Sequence, residues 1–230
     1  TLDEMKRWLL QQKRTQVWDT PINSVNAVYA FLNGNMQVLQ AAADSPAKLS
    51  VDGKRLETPN ASAGMGYVKT TMTGANLNTF TVDKTAPGTS WGSVYAQFTQ
   101  RTTDIADASM GLSVKRELLY DGELKVGSKV KVRITITADR DYDFVQVVDK
   151  RAACMEPVNQ LTGYRGGFYC SPRDNATYYY ADMMPKGTHV VESTFYVDRP
   201  GTFTTGTCTV QCAYSPAYMA RTKALTITVK

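Results

Sequence analysis

From Lys129 to Thr137 every second residue is apolar, with Val130, Val132, Ile134 and Ile136 alternating with Lys129, Lys131, Arg133, Thr135 and Thr137. A period of two places one set of side chains in a core and the other in water, so this stretch is an antiparallel strand with one wet face. Such a strand needs neighbours. The stretches 144–148, 178–181, 190–197, 207–214 and 225–229 supply them, and Pro200-Gly201 punctuates the series, which is long enough for a β-sandwich of about seven strands.

Upstream, the period changes. Leu2, Met5, Trp8 and Leu9 recur at helical spacing behind Thr1 and Glu4, a capping-box pair, and predict a helix over residues 2–13. A second helix follows, with Thr20 as its cap, Pro21 in its first turn, one stripe of Ile22, Val25, Val28, Tyr29 and Leu32, and Asn33-Gly34 as its stop. Two helices with one apolar face each cannot form a domain unaided, so they must pack on something else or be the end of a larger helical array, which the start at Thr1 favours. Between helices and sandwich, 48–51, Asp52-Gly53 and 54–57 read as a tight hairpin, since that dipeptide accepts the positive φ angles of a two-residue turn. Strands over 67–72, 78–82 and 91–98 complete a small β unit. The expectation is therefore a mainly β chain with an N-terminal helical hairpin, an antiparallel β unit and a terminal sandwich, divided at 1–45, 46–107 and 108–230.

A length of 230 residues favours more than one compact unit, and 43% apolar with 20% charged residues is the balance of a globular protein. The net charge of +5 is dispersed among acidic residues, which argues against a nucleic-acid partner. No apolar run reaches the roughly 20 residues that span a bilayer. The chain starts at Thr1 rather than Met, so any export signal or lipid anchor is expected upstream.

Candidate chemistry is sparse. His189 is the only histidine and precedes an alternating strand, which favours an edge position over a catalytic triad or zinc site. Asp139, Asp141, Asp143 and Asp149 could form a calcium or glycosidase cluster, but Arg140, Lys150 and Arg151 are interleaved with them and favour a balanced turn. Cys154, Cys170, Cys208 and Cys212 fit an oxidising compartment. Cys208 and Cys212 stand four apart on one strand, roughly 13 Å at about 3.3 Å per residue, too far to bridge without a bulge. A Cys154–Cys170 disulfide is the favoured pairing; a cysteine zinc site lacks the short paired spacings. Tyr178, Tyr179 and Tyr180, near Tyr164, Phe168 and Tyr169, read as alternate core and rim residues, with a glycan- or protein-binding platform as the alternative. No cofactor or catalytic residue is implied.

Several segments, in order, resemble the C-terminal end of bacterial alpha-2-macroglobulin-like proteins: Trp91-Gly-Ser-Val-Tyr95 with Ala-Gln-Phe98, Leu124-Lys-Val-Gly-Ser-Lys-Val-Lys-Val-Arg133, Asp139-Arg-Asp-Tyr-Asp-Phe-Val145, Arg151-Ala-Ala, Glu156-Pro157, Gly163-Tyr164, Met184-Pro-Lys-Gly-Thr188, Gly201-Thr-Phe203 and Gln211-Cys-Ala-Tyr-Ser-Pro216. The resemblance implies that Gln16-Val-Trp-Asp-Thr20 and the helix after it end a thioester-type α/α toroid, that 46–107 are part of a CUB-like module and that 108–230 are a macroglobulin-like sandwich. It implies a non-catalytic structural part of a periplasmic or cell-surface protease trap, anchored through an upstream segment, whose partners are other domains of the same chain and target proteases. Cys154-Met-Glu-Pro157 is a near miss to the thioester motif Cys-x-Glu-Gln, but proline cannot supply the amide. Tyr214 is the candidate for a docking or thioester-shielding contact. The alternative is a stand-alone surface module that recognises a glycan or partner protein through Tyr178, Tyr179 and Tyr180.

Overall fold

The computed structural model describes residues 1–33, 47–57, 69–73, 78–87, 90 and 92–230. It divides into two compact units, one of residues Thr1–Trp18 with Thr99–Lys230, the other of residues Asp19–Phe98. The two helices therefore fall in different units, the first with the sandwich.

In the smaller unit, helix α2 follows α1 (Leu2–Thr15) in the chain and spans Pro21–Leu32, with the Thr20 hydroxyl accepting from Asn23 N at 3.3 Å. None of its residues is buried. Strands β1 (Lys48–Val51), β2 (Lys54–Arg55) and β3 (Phe80–Asp83) form a sheet in the order β2-β1-β3. Asp52 (φ 47°) and Gly53 (φ 77°) make the expected two-residue turn, and the Asp52 carboxylate accepts from Thr79 N at 2.8 Å. Two expected strands are corrected. Residues 69–72 and 92–98 carry no strand, since no strand among the described residues pairs with them, while 67, 68 and 91 lie outside the described residues. Val94, Tyr95 and Phe98 are accordingly exposed.

The larger unit holds β4 (Ala108–Met110), β5 (Leu112–Leu119), β6 (Lys129–Ala138), β7 (Tyr142–Lys150), β8 (Met155–Pro157), β9 (Gly163–Arg165), β10 (Phe168–Pro172), β11 (Ala176–Met184), β12 (Gly187–Val197), β13 (Gly201–Thr204), β14 (Cys208–Cys212), β15 (Met219–Arg221) and β16 (Thr226–Val229). Eleven of these form one antiparallel ladder in the order β8-β12-β6-β5-β4-β15-β14-β7-β11-β10-β9, and β13 pairs with β16. The ladder folds back on itself as a sandwich. Val130, Val132, Ile134 and Ile136 of β6 join Val145 and Val147 of β7, Tyr179 of β11, Phe195 of β12 and Val210 of β14 in one buried cluster. Burial of each such aliphatic side chain contributes about 1.5–3 kcal/mol. Tyr179 Oη lies 2.7 Å from Ser193 Oγ, joining β11 to β12 although they stand far apart in the ladder.

β5 carries an arginine at a core position. Arg116 shares its parity with Leu112 and Val114, and its side chain is 1% exposed beside an Asp149 that is 2% exposed. Its Nη1 donates to Asp149 Oδ1 at 2.8 Å and to Lys150 O at 3.2 Å, and its Nη2 donates to Thr205 Oγ1 at 2.6 Å and Gly206 O at 2.8 Å. Burial pushes the Asp149 carboxyl up, opposed by that guanidinium. Only glycine fits at 206, since a Cβ there would stand 2.3 Å from Lys150 Cβ.

Removing one partner of a buried pair strands the other charge. Arg116→Met should therefore destabilise the fold by about 3–5 kcal/mol in urea unfolding, and adding Asp149→Leu should recover much of that loss. A single-substitution cost within about 0.5 kcal/mol would show that the pair holds nothing together.

Candidate functional site

The most elaborated corner of the larger unit is where α1 meets the turn between β14 and β15. That turn is closed by Ser215 N donating to Cys212 O at 3.3 Å, Tyr218 N to Ser215 O at 2.9 Å and Cys212 N to Tyr218 O at 3.1 Å. It places Tyr218 inward and Tyr214 outward. The Tyr218 ring lies 5.5 Å from the buried Tyr142 ring, with the Arg14 guanidinium 5.1 Å and the Arg140 guanidinium 5.4 Å from its centroid. Its hydroxyl accepts from Gln11 Nε2 of α1.

Asp139 organises the other side of this corner. Its Oδ1 accepts from Tyr142 Oη at 2.6 Å, and both its oxygens accept from Arg140, at 3.1 and 3.0 Å. The hydrogen bonds from Arg140 hold its carboxyl below the usual range, and burial with this contact raises the Tyr142 phenol. Gly111 makes the packing feasible: at φ 72°, a Cβ there would stand 2.2 Å from Tyr142 Oη.

Just past α1 the chain runs beside a cleft of about 330 Å³ lined by residues including Lys13, Val17, Asp143, Phe144, Cys212 and Tyr214. Asp143 Oδ2 accepts from Val17 N at 2.5 Å, tying the segment after the helix to β7. Phe144 is held at φ 56°, a conformation that costs a phenylalanine strain, while its carbonyl accepts from Ala213 N at 2.8 Å. The Tyr214 ring meets Phe144 edge-on at 5.1 Å and remains 79% exposed. Tyr214 is thus a projecting turn residue on a fixed aromatic base.

The other candidates are dispersed. Of the four carboxylates, Asp139 and Asp143 serve this corner, Asp141 accepts from Lys186 N at 2.7 Å, and Asp149 is buried with Arg116. Among the described residues no group of three or more His, Cys, Asp or Glu is placed to hold a metal ion. His189 is half-buried, its Nε2 2.7 Å from Pro185 O. The tyrosine run alternates: Tyr179 is inside, its phenol raised by burial, and Tyr178 and Tyr180 are outside with near-parallel rings at 6.4 Å. Tyr164 of β9 and Tyr169 of β10 stand opposite each other, and Tyr169 opposite Tyr180, which makes an outward row across three strands.

All four cysteines are buried free thiols. The Cys154–Cys170 disulfide favoured from the sequence is not formed: Cys154 precedes β8, Cys170 sits on β10, and each is packed in the core as a small apolar group. Burial pushes the Cys154 and Cys170 thiols up, and the Cys208 thiol well above its ordinary value.

The family described as the bacterial alpha-2-macroglobulin MG10 domain matches residues 97–217, more than half of the chain. The chain belongs to the bacterial alpha-2-macroglobulin family. Among solved structures, trypsin-activated alpha-2-macroglobulin from Escherichia coli is similar at TM-score 0.54 and 16% identity, over 96% of this chain and 16% of that one. A mutant of Salmonella alpha-2-macroglobulin is similar at TM-score 0.50 and 21% identity, over 55% of this chain and 10% of that one. Escherichia coli alpha-2-macroglobulin activated by porcine elastase gives TM-score 0.50 and 20% identity, over 55% of this chain and 14% of that one. At these identities the likeness establishes the fold. No curated protein matches.

The chain thus spans only 10–16% of the length of these macroglobulins. Its family-matched segment contains the cleft residues Asp143, Phe144, Cys212 and Tyr214, but ends before Tyr218. Sequence reasoning did not find the contacts of Tyr218 with Arg14 and Gln11, for which only the placement of aromatic and basic residues near the turn gave a signal. The thiols give a direct check. Without reductant, a chromogenic thiol reagent should react slowly with the native chain and count four thiols per chain in denaturant; a count of two would reinstate one disulfide.

Proposed function

We propose that this chain is the non-catalytic C-terminal portion of a bacterial alpha-2-macroglobulin-like protease trap, and that it docks the helical toroid domain of the longer protein. The observation that carries this reading is the apolar surface of the helices. On α1, Leu2, Met5 and Trp8 form an open stripe with Trp8 63% exposed; on α2, Ile22, Val25, Val28, Tyr29 and Leu32 form another with Val25 64% exposed. Helices with one unburied apolar face are halves of an interface. Neighbouring helices of the toroid are the occupants that match both stripes.

In this reading the sandwich is the rigid base, Tyr218 clamps α1 to it, and Tyr214 makes the docking contact or shields a thioester where the parent carries one. Catalytic groups are not required, since a trap works by a protease-triggered rearrangement of domains whose resting arrangement is held by interfaces of this kind. The partners are the other domains of the same chain and the proteases the whole protein meets. The setting is extracytoplasmic, periplasm or cell surface, with anchoring through an upstream segment. The outward tyrosine row, with Tyr178 stacked on Tyr180, favours a second reading as a glycan- or protein-binding surface module.

Hydroxyl-radical footprinting separates the two. In the full-length protein Met5, Trp8, Tyr29 and Tyr214 should be oxidised several-fold more slowly than in residues 1–230 alone, while Tyr164 and Tyr180 are oxidised equally in both. Equal labelling of the first four in both samples would remove the docking role.

A further inference from the structure

The two outer faces of the sandwich differ in chemistry. On the β5–β6–β12 arm, Glu117, Arg133 and Glu192 stand opposite one another across three strands, and Lys131 also pairs with Glu192 at 3.2 Å, which makes a charged and solvated face. On the other arm, the register sets Tyr164, Tyr169, Tyr180, Gln146, Gln211 and Met219 in one row across β9, β10, β11, β7, β14 and β15. None of the six is charged. A second row beside it runs from Ser171 and Tyr178 through Val148 and Thr209 to Arg221, its one charge, whose Nε donates to Ala106 O at 3.1 Å.

Beyond these rows charge returns, with Asp182 two residues after Tyr180 and Lys150 two after Val148, both exposed. The neutral surface is therefore a strip, about 24 Å long at roughly 4.8 Å per strand and about 7 Å from row to row. Such a strip falls well short of the roughly 800 Å² per partner that a stable protein interface buries. An extended polypeptide fits it poorly as well, because the N–H and C=O groups beneath the strip are taken up in the ladder and an incoming backbone would stay unpaired. The strip offers ring surface with polar tips instead. Tyr164 is 74% exposed, Tyr178 and Tyr180 hold near-parallel rings at 6.4 Å, and Gln211 Nε2 donates to Pro216 O at 3.3 Å, which leaves its side-chain oxygen as an acceptor.

We propose that this strip binds a linear, uncharged polysaccharide, with successive sugars lying along the row from Tyr164 to Gln211. A sugar ring has apolar C–H faces and a hydroxyl rim, which aromatic rings and side-chain amides match together. The step between strands is close to the length of one sugar ring, so a chain crossing the strands meets a new tyrosine or glutamine at each unit. This rests on the second reading of the tyrosine row and names its ligand; docking through α1 uses other residues.

The probes are cellohexaose, chitohexaose and maltohexaose, titrated calorimetrically into residues 1–230. At least one should bind saturably and independently of salt, about tenfold or more tighter than its disaccharide, which spans few of the strands. Tyr164→Ala and Tyr180→Ala should each weaken that binding several-fold and Gln146→Ala somewhat less, while Lys131→Ala on the other face should leave it unchanged. The length dependence needs no change to the protein and stands whatever the variants do to the fold. No binding of any hexasaccharide, equal affinity for disaccharide and hexasaccharide, or indifference to Tyr164→Ala would overturn the proposal. Footprinting of the full-length protein then separates the causes. Tyr164 and Tyr180 labelled as in residues 1–230 leave the row open to a protein partner, whereas their protection by another domain of the chain removes the surface-module reading as well.

Discussion

The sandwich depends on a charge where a hydrophobe is expected. Arg116 stands at a core position of β5, and its guanidinium spans to Asp149 and the Lys150 carbonyl at the end of β7 and to Thr205 and the Gly206 carbonyl before β14. Thr205 continues the connection, accepting from Leu225 N at 2.9 Å through its hydroxyl and donating its own N–H to Leu225 O at 2.8 Å, just before β16. One planar cation with a fixed fork of donors thus fixes the register of segments drawn from both arms of the ladder. An apolar residue there would pack but would leave Asp149 and the carbonyls at 150 and 206 without that donor set.

With the arms fixed, the corner at Tyr218 becomes a rigid seat. Gly111 lets the chain pass close beneath Tyr142 and Tyr218, Asp139 locks Arg140 under the Tyr218 ring, and Arg14 closes over it from α1. The helix is held to the sandwich by Gln11 and Arg14 of its C-terminal half and by Val17 just past its end, which leaves Leu2, Met5 and Trp8 exposed.

Much of this was legible in the sequence because it rests on local rules. The β6 alternation, the Asp52-Gly53 turn and the Thr20-Pro21 start of α2 depend on neighbours in the chain, and all three stand where expected. The parity of Tyr178, Tyr179 and Tyr180 followed from the same period of two. β5 did not emerge, because Arg116 breaks its apolar alternation and its partner lies 33 residues away. The strand expected over 91–98 failed for the opposite reason: over its described residues the pattern fits a strand, but no described strand pairs with it. The Tyr218 corner joins residues as much as 207 positions apart, and no local pattern predicts such contacts. The disulfide expectation weighed cysteine count and spacing; the fold instead uses all four thiols as core packing.

We propose above that this chain docks a helical domain. Lysine cross-linking with mass-spectrometric mapping of the full-length protein tests it most directly, because Lys6 and Lys13 lie on α1. The account predicts cross-links from Lys6 and Lys13 to helices encoded upstream of residue 1, lost on protease cleavage of the trap. Links from those two lysines confined to residues 1–230, before and after cleavage, would contradict it.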